Sequence, residues 1–320
     1  MTTFADIKQR LSVPLIAAPM FLVSSPELVV AAAHAGIIGA FPTANARTSA
    51  DLADWLRRIH AERDPQKGAL AANLIVRNSR LQDDLAVLLD QPTELVITSV
   101  GSPAAVIRPL HDVGSLVFAD VASVRHAHRA IDAGVDGLIL LSAGAGGQTG
   151  WANPFAFVRA VREFFDGPVV LAGGISDGVA LRAAITLGAD LAYMGTKFQA
   201  TAESSAPEGS KRLLAASSLD DVVLTSALSG LPTNFLKASF DAVGVDVNQL
   251  NSIFRDKGDL GAVWAQMGSP DFSAYRDLCA AGHSVGGVGD ILTVADLVKR
   301  TDEEYRQTFP QTRTVTTTFA

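Results

Sequence analysis

Eight short apolar runs, each bounded by Gly, Pro, Asp or Ser, recur through the first two-thirds of the chain and constrain its fold most. They read as strands near Pro14–Ala18, Gly36–Phe41, Leu70–Val76, Leu95–Ser99, Leu116–Asp120, Leu138–Ser142, Val169–Ala172 and Leu191–Met194. Segments of helical periodicity lie between them, among them Glu27–Ala35, Ala50–Ala61, Pro103–His111, Ser123–Ala133, Pro154–Phe165 and Gly178–Leu187. Strands that are apolar on both faces need cover on both faces, and alternating helices supply it in a parallel sheet. Eight units at roughly 20- to 35-residue spacing fit a closed (β/α)8 barrel better than an open sheet. Helices that run into glycine (Ala35-Gly36, Ala133-Gly134, Leu187-Gly188) carry the usual signal of a helix C-terminus feeding a strand.

After Thr196 the alternation stops. From about Ala202 to Gly282 the chain shows helical periodicity without convincing strands, broken at Ser229-Gly230-Leu231-Pro232 and Lys257-Gly258. The expected architecture is α/β: a TIM barrel from residues 1–201 and 284–310, with a helical lid, 202–283, inserted after strand eight. Val294–Arg300 returns as the last barrel helix, and the Thr-rich residues 311–320 read as a tail. The apolar lid segments Leu228–Phe240 and Ile253–Met267 suggest a mostly non-polar pocket.

Composition removes several classes of function. The 320 residues are 48% hydrophobic, enough for a large core. A net charge of -7 argues against nucleic acid or an anionic membrane as the main partner. The lone Cys279 leaves no intramolecular disulfide and no cysteine-cluster metal site. No apolar run reaches the roughly 18 to 20 residues of a membrane span, and Met1-Thr-Thr-Phe-Ala-Asp6 lacks the plan of a signal peptide, so the expected location is cytoplasmic.

Ligands of such barrels sit at the C-terminal ends of the strands. Three of those ends are dense in glycine: Gly144-Ala-Gly-Gly-Gln-Thr-Gly150, Ala172-Gly173-Gly174 and Met194-Gly195-Thr196. Glycine lets backbone approach a flat or charged ligand where side chains would collide, and free N–H groups at such turns hold phosphate without a basic side chain. The first of these stretches also resembles a dinucleotide fingerprint, but no acidic residue closes a second strand about 20 residues on, since Glu163 falls in a helix pattern. Strand one ends in Ala18-Pro19-Met20, which offers a soft apolar surface to a ring system, or a core methionine after a turn. Asn73 is an amide in an apolar strand, to be satisfied by a ligand edge or by backbone. Asp120 ends strand five, where it reads equally as a ligand-binding carboxylate and as a solvated strand-end residue. His283, in Ala280-Ala-Gly-His-Ser-Val-Gly-Gly287, reads as a proton donor or acceptor carried by the lid, or as a helix-end residue without a role.

With Ala18-Pro19-Met20, Gly144-Ala145-Gly146-Gly147-Gln148, Ala172-Gly173-Gly174 and Met194-Gly195-Thr196 in that order, the chain resembles the nitronate monooxygenases, formerly called 2-nitropropane dioxygenases. The likeness runs from about Pro14 to Gly287, with Glu203-Ser204 in keeping. The resemblance implies non-covalent FMN at the strand tips. Met20 and Asn73 would touch its ring, the 144–148 turn would line it, and Gly173, Gly174, Gly195 and Thr196 would hold its phosphate. Asp120 would accept a hydrogen bond from a ribityl hydroxyl or, near the pyrimidine end, oppose flavin reduction. It also implies oxidation of alkyl nitronates by oxygen to a carbonyl compound and nitrite. Members of the family carry His where this chain has Gln148, and a carboxamide orients a nitro or carbonyl oxygen but is no general base. The expectation is that Gln148 binds substrate and His283 handles the proton. Two alternatives stay open: an NAD(P)H-dependent FMN reductase of quinones or enoyl thioesters, and a non-redox barrel that binds a phosphate ligand. The expected partners are a small electron donor or acceptor and oxygen, and a homodimer is one possible assembly.

Overall fold

The computed structural model describes residues 3–258, 263 and 277–307. Its strands are β1 (Leu15–Ala17), β2 (Ile38–Pro42), β3 (Ala69–Ile75), β4 (Leu95–Ser99), β5 (Leu116–Val121), β6 (Gly137–Leu141), β7 (Gly147–Gln148), β8 (Val169–Ala172), β9 (Leu191–Met194), β10 (Val222–Thr225) and β11 (Thr233–Leu236). Eight of them close into a parallel ring in the order β1-β2-β3-β4-β5-β6-β8-β9, with β9 pairing back onto β1 through Leu15 with Ala192 and Ala17 with Met194. This is a (β/α)8 TIM barrel, and the eight ring strands are the eight expected ones.

Strand side chains alternate between faces, and here the alternation sorts two cores. Ile16, Ala18, Ile38, Ala40, Ala69, Ala71, Leu95, Ile97, Phe118, Ile139, Val170, Ala172, Leu191 and Tyr193 fill the interior. Their neighbours Leu15, Ala17, Leu70, Ala72, Val96, Val117, Leu138, Val169, Leu171 and Ala192 face outward, where helix residues such as Leu28, Leu56, Leu110, Val158 and Leu181 cover them. Side-chain oxygens begin the helices: Ser25 caps Pro26–His34, Thr48 caps Ser49–Glu62, Ser123 caps Val124–Ala133 and Asp177 caps Gly178–Leu187.

The sequence reading does not name every helix. Phe4–Gln9 plugs the N-terminal end of the barrel, with the Phe4 ring 5.8 Å from that of Phe118. Leu81–Asp90 lacks a side-chain N-cap, which hid its start. The lid expected as purely helical is mixed. It contains Glu208–Ala216, Lys237–Ala242 and Val247–Lys257, but also β10 and β11, which pair antiparallel. β7 joins them through Thr233 with Gln148 and Asn234 with Gly147. Four-residue strands are too short to show a period of two against a helical background. The segment Ile253–Met267 lies partly, and the tail 311–320 wholly, outside the described residues.

The return helix, Val294–Arg306, extends six residues past its expected end and packs on Gly178–Leu187. Gly178 makes that approach possible, because a Cβ there would overlap the Thr301 carbonyl and the Tyr305 amide. Gly178→Ala should therefore cost about 2 kcal/mol, read as a lower urea midpoint at unchanged slope.

Candidate active site

The ring strands all end on one face, and there the barrel opens into a cavity of about 510 Å³. Its floor is made by inward-facing residues at or next to the ends of the ring strands: Ala18, Pro42, Asn73, Ser99, Asp120, Leu141, Ala172 and Tyr193. Small residues leave room above the ring axis, and four positions are polar. Asn73 Nδ2 donates to the Ile97 carbonyl and to Ser99 Oγ, both at 3.1 Å, which uses both amide hydrogens and leaves its carbonyl oxygen at the cavity lining without a donor among the described residues. The carboxyl and phenol groups have no such partners: Asp120 Oδ1 and Tyr193 Oη are buried without a hydrogen bond. Each orphan of this kind costs roughly 1–3 kcal/mol, so the floor is built against its own stability.

Burial pushes the Asp120 carboxyl up to about 7, and it raises the Tyr193 phenol well above its ordinary value, with the Asp120 charge adding to the effect. Among the described residues lining the cavity there is no Lys, Arg, His, Glu or Cys. No group of His, Cys, Asp and Glu among the described residues is arranged to hold a metal.

Glycine turns make one wall. Gly173 and Gly174 take left-handed φ of 118° and 72°. The N–H groups of Gly174 and Ile175 find no acceptor among the described residues and border the cavity. Beside it, on the neighbouring strand tip, the turn from Gly144 to Gln148 is held largely by the insertion. Asn234 Nδ2 donates to the Ala145 carbonyl at 2.8 Å, Thr149 N to Pro232 O at 3.0 Å, and His283 N to Gly144 O at 2.9 Å. Gly282 N donates to Thr196 Oγ1 at 3.0 Å, tying the returning chain to the β9 tip. Leu278, Ala280 and Ser284 close over the space from the same segment. The loop after β1 is fixed by Asn45, whose Nδ2 donates to Met20 O and Ser24 O at 3.0 and 2.8 Å.

Of the residues expected at the site, Ala18, Pro19, Met20, Asn73, Asp120, Ala145, Gly146, Gly147, Gln148, Ala172, Gly173, Gly174, Gly195 and Thr196 all line this one cavity. Two do not. Met194 is 1% exposed and packs in the outer shell, because the strand alternation turns Tyr193 inward in its place. His283 is exposed, with its ring against the Cα of Gly144 outside the lining, so its placement gives no support to the expected exchange of roles with Gln148. Ser99, Tyr193 and Asn234 were missed. Period-two counting from Leu95 and Leu191 would have found the first two, and a lone amide in an apolar run marks the third.

Known proteins resemble the chain in sequence and in fold. The family model described as nitronate monooxygenase matches residues 48–301. A nitronate monooxygenase of Paraburkholderia phytofirmans is 28% identical, over 94% of each chain. A Mycobacterium tuberculosis protein named (3aS,4S,5R,7aS)-5-hydroxy-7a-methyl-1-oxo-octahydro-1H-indene-4-carboxyl-CoA dehydrogenase is 27% identical, over 78% of this chain and 68% of its own. The structure of FabK from Thermotoga maritima superposes with a TM-score of 0.75 at 26% identity, covering 94% of each chain.

The Asp120 carboxyl makes stability depend on pH in a set direction. Folded, it holds a proton up to about pH 7; unfolded, it releases that proton near 3.8. Its contribution is full below 3.8 and is lost as pH rises to about 7, at up to about 1.4 kcal/mol per pH unit. Urea titrations at several pH values should show this slope in the wild type and its loss in Asp120→Asn.

Proposed function

The chain belongs to the nitronate monooxygenase family and is an oxidoreductase, and we propose that it binds FMN in the cavity and uses it to oxidise alkyl nitronates with oxygen. One observation carries this reading: the glycine turns of β8 and β9 and the polar floor of the ring open on the same cavity. Gly174 and Ile175 offer unspent N–H groups on its rim, as a phosphate needs where no basic side chain is present. Asn73 offers a fixed amide carbonyl to a ring N–H, Met20 a polarisable face, and Asp120 and Tyr193 unpartnered polar atoms. The residues present fit a flavin mononucleotide.

The flavin, when bound, would accept electrons from the substrate and pass them to oxygen. The chain's own residues have narrower tasks. The apolar roof from Leu278 and Ala280 limits water, and Gln148, exposed on the cavity wall, can hydrogen-bond a nitro oxygen. A nitronate is already a carbanion equivalent and needs no base. With no imidazole among the described lining residues and the Asp120 carboxyl holding its proton below about pH 7, a neutral nitroalkane gets no help there in losing its own proton. The nitronate should exceed its parent nitroalkane in kcat/KM by about a hundredfold or more.

The relative named as a CoA-ester dehydrogenase favours a second reading, redox chemistry on a thioester coupled to a nicotinamide. Anaerobic mixing separates the two. FMN-loaded protein should bleach rapidly with a nitronate and slowly with NADH or NADPH; bleaching by a reduced nicotinamide alone would reverse the assignment. A protein that is colourless and takes up no FMN would remove both.

A further inference from the structure

The two orphaned polar atoms of the floor belong to residues on well-separated strands. Asp120 ends β5 and Tyr193 ends β9, with β6 and β8 between them in the ring. By the strand alternation both side chains project into the barrel interior, Asp120 two residues beyond Phe118 and Tyr193 two beyond Leu191. Tyr193 is 9% exposed, and neither its Oη nor Asp120 Oδ1 has a hydrogen-bond partner. Residues that face them from the other strands do not answer their polarity. Ala18, Pro42, Leu141 and Ala172 are apolar, the hydrogens of the Asn73 amide go to Ile97 and Ser99, and the Ser99 hydroxyl bonds neither Asp120 Oδ1 nor Tyr193 Oη. No cation lines the cavity among the described residues, and the one titratable neighbour of Asp120 there is Tyr193 itself.

A carboxyl group in such surroundings is held neutral, and a neutral carboxyl is a hydrogen-bond donor. The Tyr193 phenol, across the ring but close enough to feel the Asp120 charge, is a second donor. A tyrosine and a protonated aspartic acid in an apolar site form an established kind of oxyanion hole, in which fixed donors await charge that appears only on reaction. We propose that Asp120, in its protonated form, and Tyr193 act as a paired donor site for a planar, delocalised oxyanion. The proposal rests on the reading of this cavity as the reaction site. Two sources share the chemistry: the nitronate or enolate of a substrate, and the carbonyl edge of the reduced cofactor ring.

The test uses 3,4-dinitrophenol, a coloured phenol ionised above about pH 6.5, titrated into apo-protein. The wild type should bind the phenolate, with affinity falling about tenfold or more between pH 6.5 and 8.5 as Asp120 ionises. Asp120→Asn keeps a donor and should remove that fall. Asp120→Leu and Tyr193→Phe should each weaken binding about tenfold at pH 6.5. Urea midpoints check that each variant folds; if Asp120→Leu does not, the Asn and Phe variants decide alone. Unchanged affinity in Tyr193→Phe, or a pH fall that survives in Asp120→Asn, overturns the proposal.

Repeating the titration with FMN bound identifies the source. Dinitrophenolate that still binds with the same Asp120 dependence marks a substrate anion. Displacement of the probe by FMN, with the pH slope of the flavin midpoint potential altered in Asp120→Asn, marks the cofactor ring. A protein that binds the probe in this way but takes up no FMN loses the flavin reading and keeps the donor pair. One that binds FMN but no probe in an Asp120-dependent way loses the donor pair alone.

Discussion

Closure of the parallel ring governs this molecule more than any single contact. Once β9 pairs with β1, every strand has one face in the interior and the period of two decides which residues stand there. The interior is filled by apolar side chains up to its last layer, and that layer is where polarity begins: Asn73, Ser99, Asp120 and Tyr193 all succeed an apolar inward residue on their strands. A polar group within the packed interior would have had to find partners inside the barrel. At the open end it can be left for a ligand. Closure therefore produces both the core and the floor of the site.

The insertion completes what closure begins. The turn at Gly144–Gln148 follows a barrel strand, yet its carbonyls are held by Asn234 and by the returning residue His283. Through Gln148 and Gly147 the turn becomes the third strand of the small sheet with β10 and β11. One wall of the cavity thus depends on residues more than eighty positions away in sequence, and barrel and insertion cannot be treated as independent at the site. The pairing of β7 with β11 also fixes the backbone at Gln148, a constraint that a free glycine loop could not supply.

Much of this was legible because the physical signals were local. Runs such as Val169–Ala172 and Leu191–Met194 are apolar on both faces and bounded by glycine, proline or aspartate, and they form strands with those same bounds. The glycine-rich strand ends converge on one cavity, as barrel topology requires. What was not legible depends on alternation or on distant pairing. Met194 follows Tyr193 by a single residue, and without the register nothing says which of the two faces inward. β10 and β11 are stabilised by each other and by β7, so their four-residue segments carry too little pattern alone. The position of His283 outside the cavity follows from its N–H bonding to Gly144, a contact between segments 139 residues apart by their numbering.

The central claim is that main-chain amides at the strand tips, with no basic side chain, hold the phosphate of a flavin mononucleotide. Comparing FMN with riboflavin as ligands of the apo-protein tests it most directly, since the two differ only in that group. The account predicts that FMN binds about a hundredfold more tightly or better, as several hydrogen bonds to a charged group would give. Equal affinities for the two would contradict it.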